Sequence, residues 1–155
     1  MTERVWIYTI SKELSNDQLA KLHSNCSDFV NNWTAHEVKL AASFEVYKNR
    51  MLIFKVDESA YNASGCSIDK LQRFVKEQEL QMGVELLNRL LVAYEEHGQP
   101  VVVHSSKIKD LINAGTINEN TLVFDNTISS SVQWAEWKKP LKNTWLNKYL
   151  PVVNQ

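Results

Sequence analysis

The sequence is poor in the residues that announce chemistry. Of 155 residues, two are cysteine and four are histidine. No CxxC, HxxxH or HExxH spacing occurs, so no metal site is predicted. The four glycines, at 65, 83, 98 and 115, are scattered. None falls in a Walker-type loop or a GxGxxG turn, which excludes a standard P-loop nucleotide site, and no cofactor is predicted. No apolar run approaches a membrane span. The opening MTERVWIYTI is too short and too mixed for a signal peptide, with Glu3 and Arg4 interrupting it. With no export signal, Cys26 and Cys66 are expected to be reduced, and the chain to be soluble and cytoplasmic. A formal net charge of −1 supplies no field that would draw the protein to nucleic acid or to an anionic membrane.

What is present is ordinary globular material, with 44% apolar and 23% charged residues. Val5 to Ile10 is β-branched and aromatic and predicts a first strand. Ser15-Asn16-Asp17-Gln18 is a capping box, with Leu14 and Leu19 set as a hydrophobic staple. Leu19, Leu22, Cys26, Phe29, Val30 and Trp33 then follow at steps of three and four, so a helix is predicted. From His36 the period changes to two. Val38, Leu40, Ala42, Phe44 and Val46 share one face of a second strand. Lys48-Asn49-Arg50 is the turn into a third strand, Met51 to Val56, because Asn tolerates positive φ.

Asp57 to Gly65 reads as a polar loop. Ser67 is the predicted N-cap of a second helix, with Asp69 in its first turn and Ile68, Leu71, Phe74, Val75 and Gln78 inward. Gly83 is its predicted stop. The second half of Leu86 to Tyr94 is predicted as a fourth strand. This order is β-α-β-β-α-β, a ferredoxin-like antiparallel sheet with both helices on one face. Residues 1–97 form this core in the prediction, and 98–155 form a C-terminal α/β extension packed on it as one unit. The extension has short strands at Val101–Val103 and Leu122–Phe124, a helix at Ser106–Ala114 ended by Gly115, and a tail with Trp134, Trp137 and Trp145. That tail is placed to cover the sheet face that the helices leave open.

The chemistry-bearing candidates cluster near the second helix. A thiol at a helix N-terminus is activated by the positive end of the dipole, which makes Cys66 a candidate nucleophile. In the predicted topology His36, the loop from Asp57 to Cys66, and His97 share one end of the sheet. Cys66, His36 and Asp69 are therefore the candidate catalytic residues, and Ser64, Gly65, Cys66 and Ser67 the candidate ligand-binding ones. The plainer alternative is that Cys66 only completes a tight loop before a helix. Cys26, on the inward stripe of the first helix, is read as a small core hydrophobe. Asp57-Glu58 with Asp69 matches no calcium loop and is read as a solvated acidic loop. Nucleic acid is not expected. The third strand, Arg50 to Val56, lacks the RRM glycine and aromatic pair, and the lysines among the tail tryptophans suit packing anchors.

Several segments together carry a family resemblance: Val5-Trp6-Ile7-Tyr8, Trp33-Thr34-Ala35-His36, Ala63 to Lys70 (ASGCSIDK) and Thr121 to Asn126 (TLVFDN). On these the chain resembles a family of small uncharacterised proteins from Bacteroidetes-type bacteria, often labelled "ABC transporter ATPase". The residues argue against the label, because such an ATPase needs a Walker A loop, an acidic Walker B strand and a signature motif. The resemblance implies no activity. The leading expectation is a non-catalytic cytosolic binding or adaptor protein with a protein or small-molecule partner, a homodimer remaining open. The alternative is a small enzyme or anionic-ligand-binding protein with a thiol site near Cys66 and His36.

Overall fold

The computed structural model describes residues 3–152. Strand β1 (Glu3–Thr9) leads to helix α1 (Asn16–Asn32), the short strands β2 (Thr34–Ala35) and β3 (Val38–Lys39), and the long hairpin β4 (Ala41–Tyr47) and β5 (Met51–Asp57). Helix α2 (Gly65–Met82) is followed by a second hairpin, β6 (Leu91–Glu96) and β7 (Gln99–His104), helix α3 (Ile108–Asn113), and strands β8 (Leu122–Phe124) and β9 (Lys138–Pro140). Single 3-10 turns fill the tail between and after these strands. Among the described residues no helix is long and apolar enough to cross a membrane.

The fold is mixed α+β with antiparallel sheets. One sheet has the order β1-β5-β4 and another the order β7-β6-β8-β9, with β2 and β3 forming a ribbon of their own. The capping box at Ser15 forms as predicted. The Ser15 amide donates to Gln18 Oε1 (2.9 Å), and the Gln18 amide to Ser15 Oγ (3.1 Å). Gln18 also donates from Nε2 to the Met82 carbonyl (3.1 Å), and Trp33 donates from Nε1 to the Ser67 carbonyl (2.8 Å). Those two bonds pin α1 against α2 in antiparallel sense, the start of each beside the end of the other. Leu22, Cys26 and Val30 from α1 and Leu71, Val75 and Met82 from α2 bury against Tyr8, Leu52, Phe54 and Val56 of the first sheet. Phe29 stacks on Phe74 at 4.4 Å within this layer.

The opposite face of the first sheet is covered by the second half of the chain. Val5, Met51 and Ile53 pack on Ala93, Phe124, Ile128 and Trp137, with Trp134 partly buried beside them. The tail therefore covers the open face as expected, and Trp134 and Trp137 serve as packing anchors. Behind the second sheet, Val92, Tyr94 and Val123 meet Ile108, Ile117, Leu141 and Leu146.

The ferredoxin-like closure is not formed. β6 pairs with β7 and β8, and no ladder joins it to β1. Both edges of β6 are taken: His97 (φ 52°) and Gly98 (φ 76°) make a tight turn that holds β7 on one, and β8 pairs the other at Tyr94. Val92, Ala93 and Tyr94 are all buried, because Ala93 packs toward the first sheet while Val92 and Tyr94 pack toward Ile108 and Leu141. A second difference lies at the start of the predicted second strand. His36 (φ 50°) and Glu37 (φ 66°) form the turn of the β2–β3 ribbon, and the strand proper begins at Ala41.

Candidate functional site

The sequence candidates stand at the entry to α2. Its N-cap is Ser64 and not Ser67. Ser64 Oγ accepts from the Ser67 amide (3.2 Å), and Ser67 Oγ accepts from the Ser64 amide (2.7 Å). The Ser67 hydroxyl also donates to the Ser64 carbonyl (2.8 Å), and the residue is fully buried. Ser at both ends of the box lets the helix start three residues early, a pattern weaker than the Ser–Glu or Ser–Gln form. Gly65 and Cys66 therefore lie inside the first turn, both exposed, and Asp69 falls beyond it. With Ser64 and Ser67 engaged in capping each other, their hydroxyls are not free ligand donors.

His36 sits at the tip of the β2–β3 ribbon, exposed. The ribbon does lie beside the start of α2, since Lys70 Nζ reaches Thr34 Oγ1 at 3.2 Å. His97 does not join them. The Lys48 ammonium donates to the Gly98 carbonyl, which places the β6–β7 turn at the β4–β5 turn, the far end of the sheet from the Asp57–Cys66 loop. Within that loop Asp57 Oδ1 accepts from the Ser59 amide (2.9 Å) and Glu58 Oε2 from the Ala63 amide (2.7 Å). The Ser59 bonds hold the Asp57 carboxyl below its usual range. These acids brace the loop. Among the described residues no group of three or more His, Cys, Asp or Glu could hold a metal.

The structure has a more developed concavity elsewhere, which the sequence reading missed. A cleft of about 630 Å³ opens where β6 fails to meet β1, a volume in the range of ordinary ligand sites. Its walls are the edge of β1, the segment before and into β6, the loop after β8, and Trp145. Leu87 and Trp145 stand on its lining and are 38% and 52% exposed. Lys148 Nζ lies 5.2 Å from the Trp145 ring.

The loop after β8 is built rigidly. Asn126 donates from Nδ2 to Thr9 Oγ1 (2.8 Å) and accepts from Trp137 Nε1 (2.8 Å). Asp125 meets Lys139 Nζ at 3.1 Å and also accepts from the Thr127 amide and hydroxyl. Burial pushes the Asp125 carboxyl up, but the Thr127 bonds and Lys139 outweigh it and hold it low. The Tyr8 phenol, also on the lining, is pushed up to about 12 by burial, despite a bond from Gln72 Nε2 (3.1 Å). Arg4 and Arg89 complete the charged lining, and the Arg4 guanidinium lies 5.2 Å from the Trp6 ring.

No known relative was found. No family model matches the chain, and neither the curated proteins nor the solved structures contain a match.

Proposed function

We propose that this protein is a non-catalytic binding or adaptor protein of the bacterial cytoplasm, and that the cleft between β1 and β6 is where its partner docks. The observation that carries this reading is the combination of an ordinary ligand-sized cleft with exposed apolar side chains, Leu87 and Trp145, at its lining. The titratable groups there suit recognition better than proton transfer. Asp125 is bound to Lys139 and Thr127, and a phenol at about 12 stays protonated at neutral pH. The fold reading that goes with this is a ferredoxin-like βαββαβ unit whose fourth strand has moved to a second sheet and left the cleft behind it.

The test is site-specific photo-crosslinking in cells. A photoreactive phenylalanine analogue replaces Asn143, exposed on the cleft, or Glu77, exposed on α2. The expected result is a discrete adduct from position 143 and none from position 77. Equal adducts from both, or none from position 143, would refute the reading.

A second reading has one observation in its favour: Cys66 is exposed in the first turn of α2, where a helix dipole favours an anion. On that reading Cys66 reacts with iodoacetamide at neutral pH well ahead of glutathione. A rate no faster than glutathione removes it.

A further inference from the structure

The edge of β1 that faces the cleft is only half closed. In an antiparallel ladder, successive residues direct their peptide groups alternately to one neighbour and to the other. The Val5 amide donates away from β5, to the Ser129 carbonyl at 2.9 Å, while the Ile10 amide donates toward that hairpin, to the Arg50 carbonyl at 2.8 Å. Val5, Ile7 and Thr9 therefore turn their peptide groups outward, and Arg4, Trp6 and Tyr8 bond to Val56, Phe54 and Leu52. The segment around Ser129 and Ser130 occupies the outer edge at Arg4 and Val5. Among the described residues no backbone group bonds the Ile7 or Thr9 amide, and Asn126 Nδ2 reaches the Thr9 hydroxyl and not its peptide group. Both residues line the cleft, Ile7 half-buried and Thr9 buried. Peptide groups so placed and unpaired are costly unless something bonds to them.

Resting on the cleft as the docking site, we infer that its partner is an extended peptide segment bearing an acidic side chain, which adds to the outer edge of β1 as a short strand. One residue of that segment pairs with Ile7 through both its N–H and its C=O, in the manner of strand-addition domains. Every second side chain of the segment then faces the same wall, where Leu87 and Trp145 offer apolar contact. The charge of the lining chooses among peptides. Lys139 is neutralised by Asp125, and the other charged groups of the lining among the described residues are Arg4 and Arg89, both positive. Basic side chains facing one ligand favour a carboxylate in it and steer its approach.

The experiment uses the full chain as bait for phage-displayed random peptides of about nine residues, the length range of an added strand with flanks. An enriched peptide is then followed by amide hydrogen exchange. The expected result is enrichment of Asp or Glu among alternating apolar residues, with the Ile7 and Thr9 amides slowed at least about tenfold and the Trp6 and Tyr8 amides unchanged. N-methylation of the one peptide residue paired with Ile7 should abolish binding, while N-methylation of its neighbours should spare it. Arg89→Glu should weaken the acidic peptides at least about fivefold, or about 1 kcal/mol.

Three results would overturn the inference. One is an enriched peptide that leaves the Ile7 and Thr9 exchange rates unchanged. Another is protection that grows with protein concentration in the absence of peptide, which assigns the edge to a second copy of the chain. The third is no enrichment at all. If the cleft adduct at position 143 forms in any of these cases, cleft docking stands and only strand addition fails. If the adduct is also missing, both fail.

Discussion

The two thiols should differ in reactivity by several orders of magnitude, and the size of the gap follows from where the helices put them. Cys26 is on the inward stripe of α1 with no exposed surface, and burial pushes its thiol up to about 12. At about pH 8 a thiol of that pKa is ionised in roughly one molecule in ten thousand, whereas a thiol at its ordinary value of 9.0 is ionised in about one in eleven. Thiolate supply alone thus slows native Cys26 by about 900-fold relative to the same residue in the unfolded chain, before steric exclusion. Cys66 is exposed in the first turn of α2 and has no such barrier to access. The assay is iodoacetamide labelling read by peptide mass spectrometry, with and without urea, and with Cys26→Ser as the assignment control. One rapid equivalent should map to Cys66, and a second should appear only as the urea unfolds the chain. If Cys26 labels in the native protein at the rate of Cys66, the α1 stripe is not the buried face and the helix–sheet layer is misassigned. If Cys66 fails to label, the entry to α2 is covered and its exposure is wrong.

Three further outcomes follow from the packing. Trp33→Phe should cost about 2–3 kcal/mol, from one buried hydrogen bond to Ser67 and the lost benzo ring beside Trp6 and Phe29, measured by urea unfolding; a cost under about 1 kcal/mol would deny that Trp33 ties α1 to α2. Ser64→Ala and Ser67→Ala should each cost about 1 kcal/mol, because each removes one of the two reciprocal cap bonds; a cost under about 0.3 kcal/mol for either in the same measurement would reject the box. Stability should fall as pH rises from about 9 toward about 12. Cys26 and Tyr8 have folded pKa values raised from 9.0 and 10.0 to about 12, so the unfolded chain loses those protons first and is favoured. The slope should reach up to about 1.4 kcal/mol per pH unit for each group, and Cys26→Ala should lower it; an unchanged slope in that variant would refute the assignment to Cys26.

What could be read from the sequence was what nearest neighbours in the chain decide. The α1 capping box and stripe, the Gly83 stop and the Lys48-Asn49 turn all formed as predicted, because each depends on residues a few positions apart. The misses were of two kinds. His36 and Glu37 adopt positive φ without being Gly or Asn, so no residue type marked that turn, and the alternation of Val38 and Leu40 made it look like strand. The cap shifted from Ser67 to Ser64 because a serine took the place of the usual glutamate or glutamine at the third position. β6 was found as a strand but assigned the wrong neighbour. No local signal chose between the neighbours, since Val92, Ala93 and Tyr94 are buried on both faces and so are Met51 to Phe54 of the first sheet. The cleft itself was not legible, since it exists only through a pairing that does not occur.

On the docking reading, that missing pairing makes the cleft more than a packing defect. A bare sheet edge is a hazard that natural proteins close with charge, bulges or a covering segment. Here the outer edge of β1 is closed at Arg4 and Val5 by the segment around Ser129 and Ser130, and that segment is itself fixed through Asn126 to both Thr9 and Trp137. This loop is anchored on either side of Ile7, by Asn126 at Thr9 and by Ser129 at Val5, yet among the described residues no backbone bond from it reaches Ile7. The stretch left open is short, about two residues or 7 Å, which is too little for runaway edge-to-edge association but enough to register one incoming residue by two main-chain bonds. On the docking reading, Arg4 and Arg89 around that stretch would add selectivity by charge, and Leu87 and Trp145 would add the apolar contact that two hydrogen bonds alone lack.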